Sequence, residues 1–168
     1  MQIPKHLRPF WDDFSRSHGD VSDSRFYDVC VFGDSELLAD ELAELVLRGV
    51  KRGTAGSLWS YEDAGIRIPQ AGDLSIVTNW AGQPLCVIET ISVQVVAYNQ
   101  VTAEFAAIEG EGDGSLAYWL EVHRQYFLRE CASSGREFSP DMLLACEQFE
   151  VVYPNPSRNS GAGAKFQG

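Results

Sequence analysis

With 168 residues, 45% hydrophobic and 11% aromatic, the chain suits one substantial core and leaves little room for a second domain of ordinary size. A formal net charge of −11 excludes a nonspecific nucleic-acid coat, whose affinity comes from surplus lysine and arginine meeting phosphate. No apolar run reaches the roughly 20 residues of a membrane-spanning helix, and Cys30, Cys86, Cys131 and Cys146 form no Cys-x-x-Cys pair, which excludes a zinc knuckle or redox motif.

The opening MQIPKHLRPFWDD has no apolar stretch leading to a small-residue cleavage site, so no secretory signal is expected. Four scattered thiols suit a reducing, cytoplasmic setting. Leu7, Phe10, Trp11 and Phe14 recur at helical spacing and predict a short amphipathic helix. Residues 17–24 read as a polar linker, and residues 26–32 as a strand ending at Gly33-Asp34. A helix follows over residues 36–48, acidic at its start, with Arg48 in its last turn and Gly49 as terminator. Residues 65–72 read as a loop, 73–80 as a strand and Ala81-Gly82 as a hairpin turn. Residues 84–98 then predict one long strand or a bent pair. A short helix at 102–108 leads through the Glu109–Gly114 loop to a helix at 116–133, capped by Ser115, with Trp119, Leu120, His123, Phe127 and Cys131 as its stripe. A last strand spans residues 143–152, and residues 154–168 have the composition of a disordered tail. Strands mixed with segregated helices predict α+β.

The chemistry concentrates directly after the second helix, where Gly49, Lys51, Gly53, Thr54, Gly56 and Ser57 read as a glycine-rich loop. Glycines there permit tight turning and close ligand approach. A lysine and a hydroxyl within one turn anchor an anion, or act as base and nucleophile if the lysine is neutral. A plain helix cap followed by a surface loop has the same composition.

These residues carry a resemblance. The order of helix, then Lys51 and Thr54, then SLWSYEDAG, a strand led by Gly72-Asp73, a hairpin, a Thr102-x-Glu104 helix ending in Glu109, and a closing CEQFEVVYP strand resembles the ASCH domain from about Phe26 to Tyr153. The resemblance implies a PUA-like β-barrel flanked by helices, residues 25–153, with residues 1–24 adding an N-terminal helix and linker. It implies binding of RNA or a modified nucleoside in a cleft. One branch resembles amidohydrolases that remove an N4-acyl group from cytidine with a lysine, a threonine and a distant glutamate, positions that fall on Lys51, Thr54 and Glu109. Another, closer in SLWSYEDAG, resembles ribonucleases. A third reading is a non-catalytic RNA-binding regulatory module. Many family members carry Glu at the position of Thr54 and Arg at that of Gly56.

Under the amide reading, Lys51 deprotonates Thr54 after burial lowers its pKa, Glu109 serves the leaving group, and backbone N–H groups of residues 53–56 meet the oxyanion. Under the ribonuclease reading, Lys51, Arg52 and Arg67 hold phosphate, Thr54 and Ser57 donate hydrogen bonds, and Glu109, Glu111 and Asp113 are candidate ligands for a divalent metal. Neither reading requires a further cofactor. Trp59 and Tyr61 are read as base-stacking rings or as core, Gly53 as the point of close approach, and His123 as a core histidine.

Overall fold

The computed structural model describes residues 2–154; the tail from residue 155 lies outside the described residues. In chain order the elements are α1 (Arg8–Ser17), β1 (Phe26–Cys30), α2 (Glu36–Leu47), β2 (Gly53–Ser57), α3 (Leu58–Ala64), β3 (Leu74–Thr78), β4 (Pro84–Ala97), α4 (Ala103–Glu109), α5 (Leu116–Ser133) and β5 (Leu143–Tyr153). The five strands hydrogen-bond in the order β1-β3-β4-β5-β2. β1 runs parallel to β3, β3 antiparallel to β4, and β2 antiparallel to β5. This is the α+β arrangement expected for a PUA-like fold.

Two compact units divide the chain. One holds the residues up to Gly49, Asp73–Glu89 and the residues from Glu150; the other holds Val50–Gly72 and Thr90–Phe149. In the first, Leu7, Trp11 and Phe14 of the N-terminal segment pack with Phe26, Leu74, Ile76 and Val87 in one apolar cluster. Trp11 meets Phe14 and Phe26 edge-on, a geometry favoured by the ring quadrupoles. All five residues of β3 are buried because strands flank it on both sides and α1 covers it. The apolar/polar alternation read in this segment therefore does not mark a solvent face.

The second unit is built on the buried stripe Trp119, His123, Phe127 and Cys131 of α5. Trp119 and Phe127 join Tyr98, Phe105, Leu144 and Cys146 in its core. Residues 84–97 form one unbroken strand. One element differs from the sequence reading, and one segment without a sequence assignment is a helix. The glycine-rich segment is not a loop: Gly53–Ser57 is strand β2, with Gly53 opposite Gln148 and Ser57 opposite Leu144. Glycines weaken intrinsic strand preference, and here the ladder to β5 overrides it. The stretch 58–64 is helix α3, which Gly65 ends in a left-handed conformation at φ 65°.

Candidate functional site

The backbone around Lys51 is clamped from two sides. Arg52 N–H donates to the Ile108 carbonyl at the end of α4, and the Arg52 carbonyl accepts from Phe149 N–H, both at 2.9 Å. Thr102 caps α4 by accepting from Phe105 N–H, and Phe105, Ala106 and Glu109 form its buried face. At φ 65°, Gly110 ends the helix. A Cβ on it would stand 2.4 Å from the Val50 carbonyl oxygen, so only glycine lets α4 close on the residue preceding Lys51. Gly53 does similar work, since its Cβ position lies 3.4 Å from Glu109 Cγ. These contacts bring two residues 58 positions apart in sequence into one hydrogen bond.

Lys51 Nζ donates to Glu109 Oε2 at 3.1 Å and to Glu111 Oε1 at 2.6 Å. His123 Nε2 lies 3.4 Å from the same Glu109 oxygen, while His123 Nδ1 lies 3.0 Å from the Trp119 carbonyl. Both ring nitrogens thus lie beside oxygen atoms of the core. The ring also stacks on Trp119, centroids 3.9 Å apart. Lys51 and Glu109 are each 1% exposed. Burial acts to lower the Lys51 pKa, but the adjoining charges of Glu109 and Glu111 outweigh it and hold the ammonium above its ordinary value. For Glu109, burial acts upward and is outweighed by Lys51 and then by His123, which bring the carboxyl down to about 2. The expectation of a neutral Lys51 acting as resting base is therefore corrected. Two carboxylates keep it charged.

The other candidate residues distribute around this pair. Side chains alternate along a strand, so Thr54 leaves β2 on the face opposite that of Gly53 and on the side of its ladder partner Glu147. Buried Glu147 accepts from Thr90 Oγ1 at 2.6 Å. Gly56 shares that face, and a Cβ there would stand 3.0 Å from the Tyr61 hydroxyl. Thr54 and Glu109 thus approach β2 from different sides. Alternate N–H groups of residues 53–56 belong to the ladder with β5, so the proposed row of oxyanion donors is corrected to a paired strand.

Ser57 is fully buried, away from any ligand in solvent. Arg52 and Arg67 are exposed, and Arg67 donates to the Ile68 carbonyl. The Trp59 ring carries the Arg136 guanidinium 4.5 Å above it, and Arg136 in turn grips Asp63 through two hydrogen bonds. One face of that indole is already stacked.

The acidic loop does not supply the metal set read from the sequence. The Asp113 carboxylate accepts from Ser115 N–H at 2.8 Å in the turn before α5. Glu109, Glu111 and His123 instead place their ligand atoms within 4.8 Å of one another. The cation these carboxylates hold is the Lys51 ammonium, and a divalent ion between them would meet that charge at contact distance. The cluster does not fit a resident metal while Lys51 keeps its place.

Sequence reasoning named Glu111 only as a metal ligand and left His123 in the core. The signal for His123 was its place on the buried stripe of α5, since a buried imidazole needs polar partners. Beside the cluster, Val101, Phe105, Ile108, Cys146, Gln94 and Gln148 contribute to a cleft of about 190 Å³. Burial, and then the nearby charge of Glu109, push the Cys146 thiol up to about 12.

A model of the ASCH domain matches residues 28–153. The chain belongs to the ASCH domain family. ASCH domains are generally thought to bind RNA. The chain is 42% identical to the ASCH domain from Lactobacillus crispatus JV V101, with 90% of this chain and 96% of that one covered and a TM-score of 0.80. It is 33% identical to protein EF3133 from Enterococcus faecalis V583, with 98% and 100% covered and a TM-score of 0.80. No curated protein matches it. Among the described residues, no helix is long and apolar enough to cross a membrane.

Proposed function

We propose that this ASCH domain binds RNA beside α4 and cleaves it, with the substrate's own 2′-hydroxyl as nucleophile. The observation that carries this reading is the buried Lys51–Glu109 pair, in which one Glu109 oxygen has no hydrogen-bond partner among the described residues and Thr54 stands on the other face of β2. RNA brings its nucleophile with it: the 2′-oxygen bonds to phosphorus as the P–O5′ bond breaks, Glu109 takes the 2′-hydroxyl proton, and the departing 5′-oxygen takes a proton from solvent, leaving a 2′,3′-cyclic phosphate. Lys51 meets the charge that grows on the phosphate oxygens. Once a phosphate shares the Lys51 charge, Glu109 feels less of the counter-charge that depresses its pKa, and burial makes it a stronger base for the 2′-hydroxyl proton. Arg52, next to Lys51 in sequence, is exposed and offers a second cation. The net charge of −11 restricts the electrostatic attraction to this locality.

A second reading, hydrolysis of N4-acylcytidine by Lys51, Thr54 and Glu109, is favoured by that same acidity, which a neutral nucleoside does not oppose. It requires Thr54 to reach the pair from the opposite strand face. One panel separates the readings: single-stranded RNA and N4-acetylcytidine, offered to the wild type and to Lys51→Met, Glu109→Gln and Thr54→Ala. RNA cleavage lost in the first two variants and retained in Thr54→Ala supports the ribonuclease. Acetate release abolished by Thr54→Ala supports the amidohydrolase. No turnover of either substrate, with salt-dependent RNA retention lost in Lys51→Met, leaves a regulatory binding module.

A further inference from the structure

We propose that the Glu111 carboxylate occupies the position of a ligand phosphate on Lys51 and is displaced when a nucleotide binds. The inference rests on the RNA reading of the same cluster and names the chemistry that its ligand must carry. Three observations on the second unit meet here.

First, Glu109 Oε1 is buried without a hydrogen-bond partner among the described residues, although its side chain is only 1% exposed. Such an orphan acceptor is costly when nothing donates to it. A ligand hydroxyl or N–H entering beside Lys51 removes that cost.

Second, the two acids on Lys51 differ in their freedom. Glu109 is sealed in the core, whereas the Glu111 side chain is 14% exposed. Glu111 also sits between Gly110 and Gly112, at φ 65° and 56°, in the turn that follows α4. When one carboxylate must yield, Glu111 is the one with solvent to enter.

Third, the charge must be conserved. Releasing Glu111 without replacement would take one carboxylate away from the buried ammonium, and an incoming oxyanion restores that charge. The ligand therefore joins an oxyanion to a neighbouring hydrogen-bond donor about one residue's reach away. A ribose 3′-phosphate carries both, with the phosphate for Lys51 and the adjoining 2′-hydroxyl for Glu109 Oε1. A neutral acylated nucleoside offers the donor without the anion.

The test is calorimetric titration with cytidine 3′-monophosphate, its 2′-deoxy analogue and inorganic phosphate. This nucleotide has no diester to cut, so binding is read whether or not the protein cleaves RNA. Failure of the ribonuclease reading thus appears separately, as absent turnover. Glu111→Gln is expected to bind the ribonucleotide roughly tenfold more tightly than the wild type, because a charge-assisted competitor has been removed. The deoxy analogue and inorganic phosphate are both expected to bind more weakly than the ribonucleotide. In the wild type, saturation with the ribonucleotide should shift the Gly110 and Gly112 amide resonances. Equal or weaker binding by Glu111→Gln, or unmoved glycine amides at saturation, overturns the displacement. Inorganic phosphate binding as tightly as the ribonucleotide overturns the role given to the ribose hydroxyl.

Discussion

Replacing Lys51 by methionine is the most direct test of the buried pair. It removes the charge while keeping a long apolar stem. At 3.1 Å and an effective dielectric of about 20, the Lys51–Glu109 attraction is about 5 kcal/mol. Measured losses on breaking buried pairs run at about 3–5 kcal/mol, because the remaining ion stays in the interior uncompensated. A domain of this size has a total stability of about 5–15 kcal/mol, so Lys51→Met should lower the melting temperature by about 6–20 °C. Adding Glu109→Leu should then recover most of the loss, since two apolar side chains of similar volume are neutral or better in such a site. Glu111 can turn to solvent, and His123 keeps its Trp119 carbonyl. Urea denaturation at neutral pH of the wild type, both single variants and the double variant gives the coupling energy directly. The reasoning is refuted if Lys51→Met costs under about 1 kcal/mol, or if the double variant shows the sum of the single losses.

The pH dependence follows from the same pair. Against the ordinary carboxyl value of 4.5, Glu109 is held near 2, so its contribution is present above 4.5 and is lost as pH falls toward 2. The raised Lys51 contributes below 10.5 and is lost only as pH rises beyond that ordinary value through its folded pKa. In Lys51→Met the sign for Glu109 reverses: burial then dominates, and stability should fall as pH rises above the ordinary carboxyl range. Denaturation curves between acid and neutral pH should cross for the two proteins; parallel curves would mean Glu109 does not sense Lys51. Gly110→Ala should destabilise by more than the about 1–2 kcal/mol of a left-handed alanine, because its Cβ also meets the Val50 carbonyl at 2.4 Å. A loss below that amount, measured by thermal melting, would show that the α4–Val50 contact yields easily.

Local rules carried much of this fold. The stripes of α1 and α5, the Ser115 cap, the long run of β4 and the end of α2 before Gly49 all follow from side-chain periodicity and terminal residues, physical signals that act within a few positions. The nearness of Lys51 to Glu109, 58 positions apart, was readable only through family likeness, since nothing in the sequence between them encodes it. Tertiary structure decided the rest. It made a strand of the glycine-rich segment through pairing with β5, and that pleat turned Thr54 toward Glu147. It also chose the charge state of Lys51, because protonation in the core depends on which acids share the site rather than on which residues lie nearby in sequence. Bringing His123 to Glu109 was likewise a result of helix packing, and the same packing moved Asp113 away to cap the next turn. Pairing, pleat and burial are properties of contacts made across the chain, and the linear order of residues does not specify them.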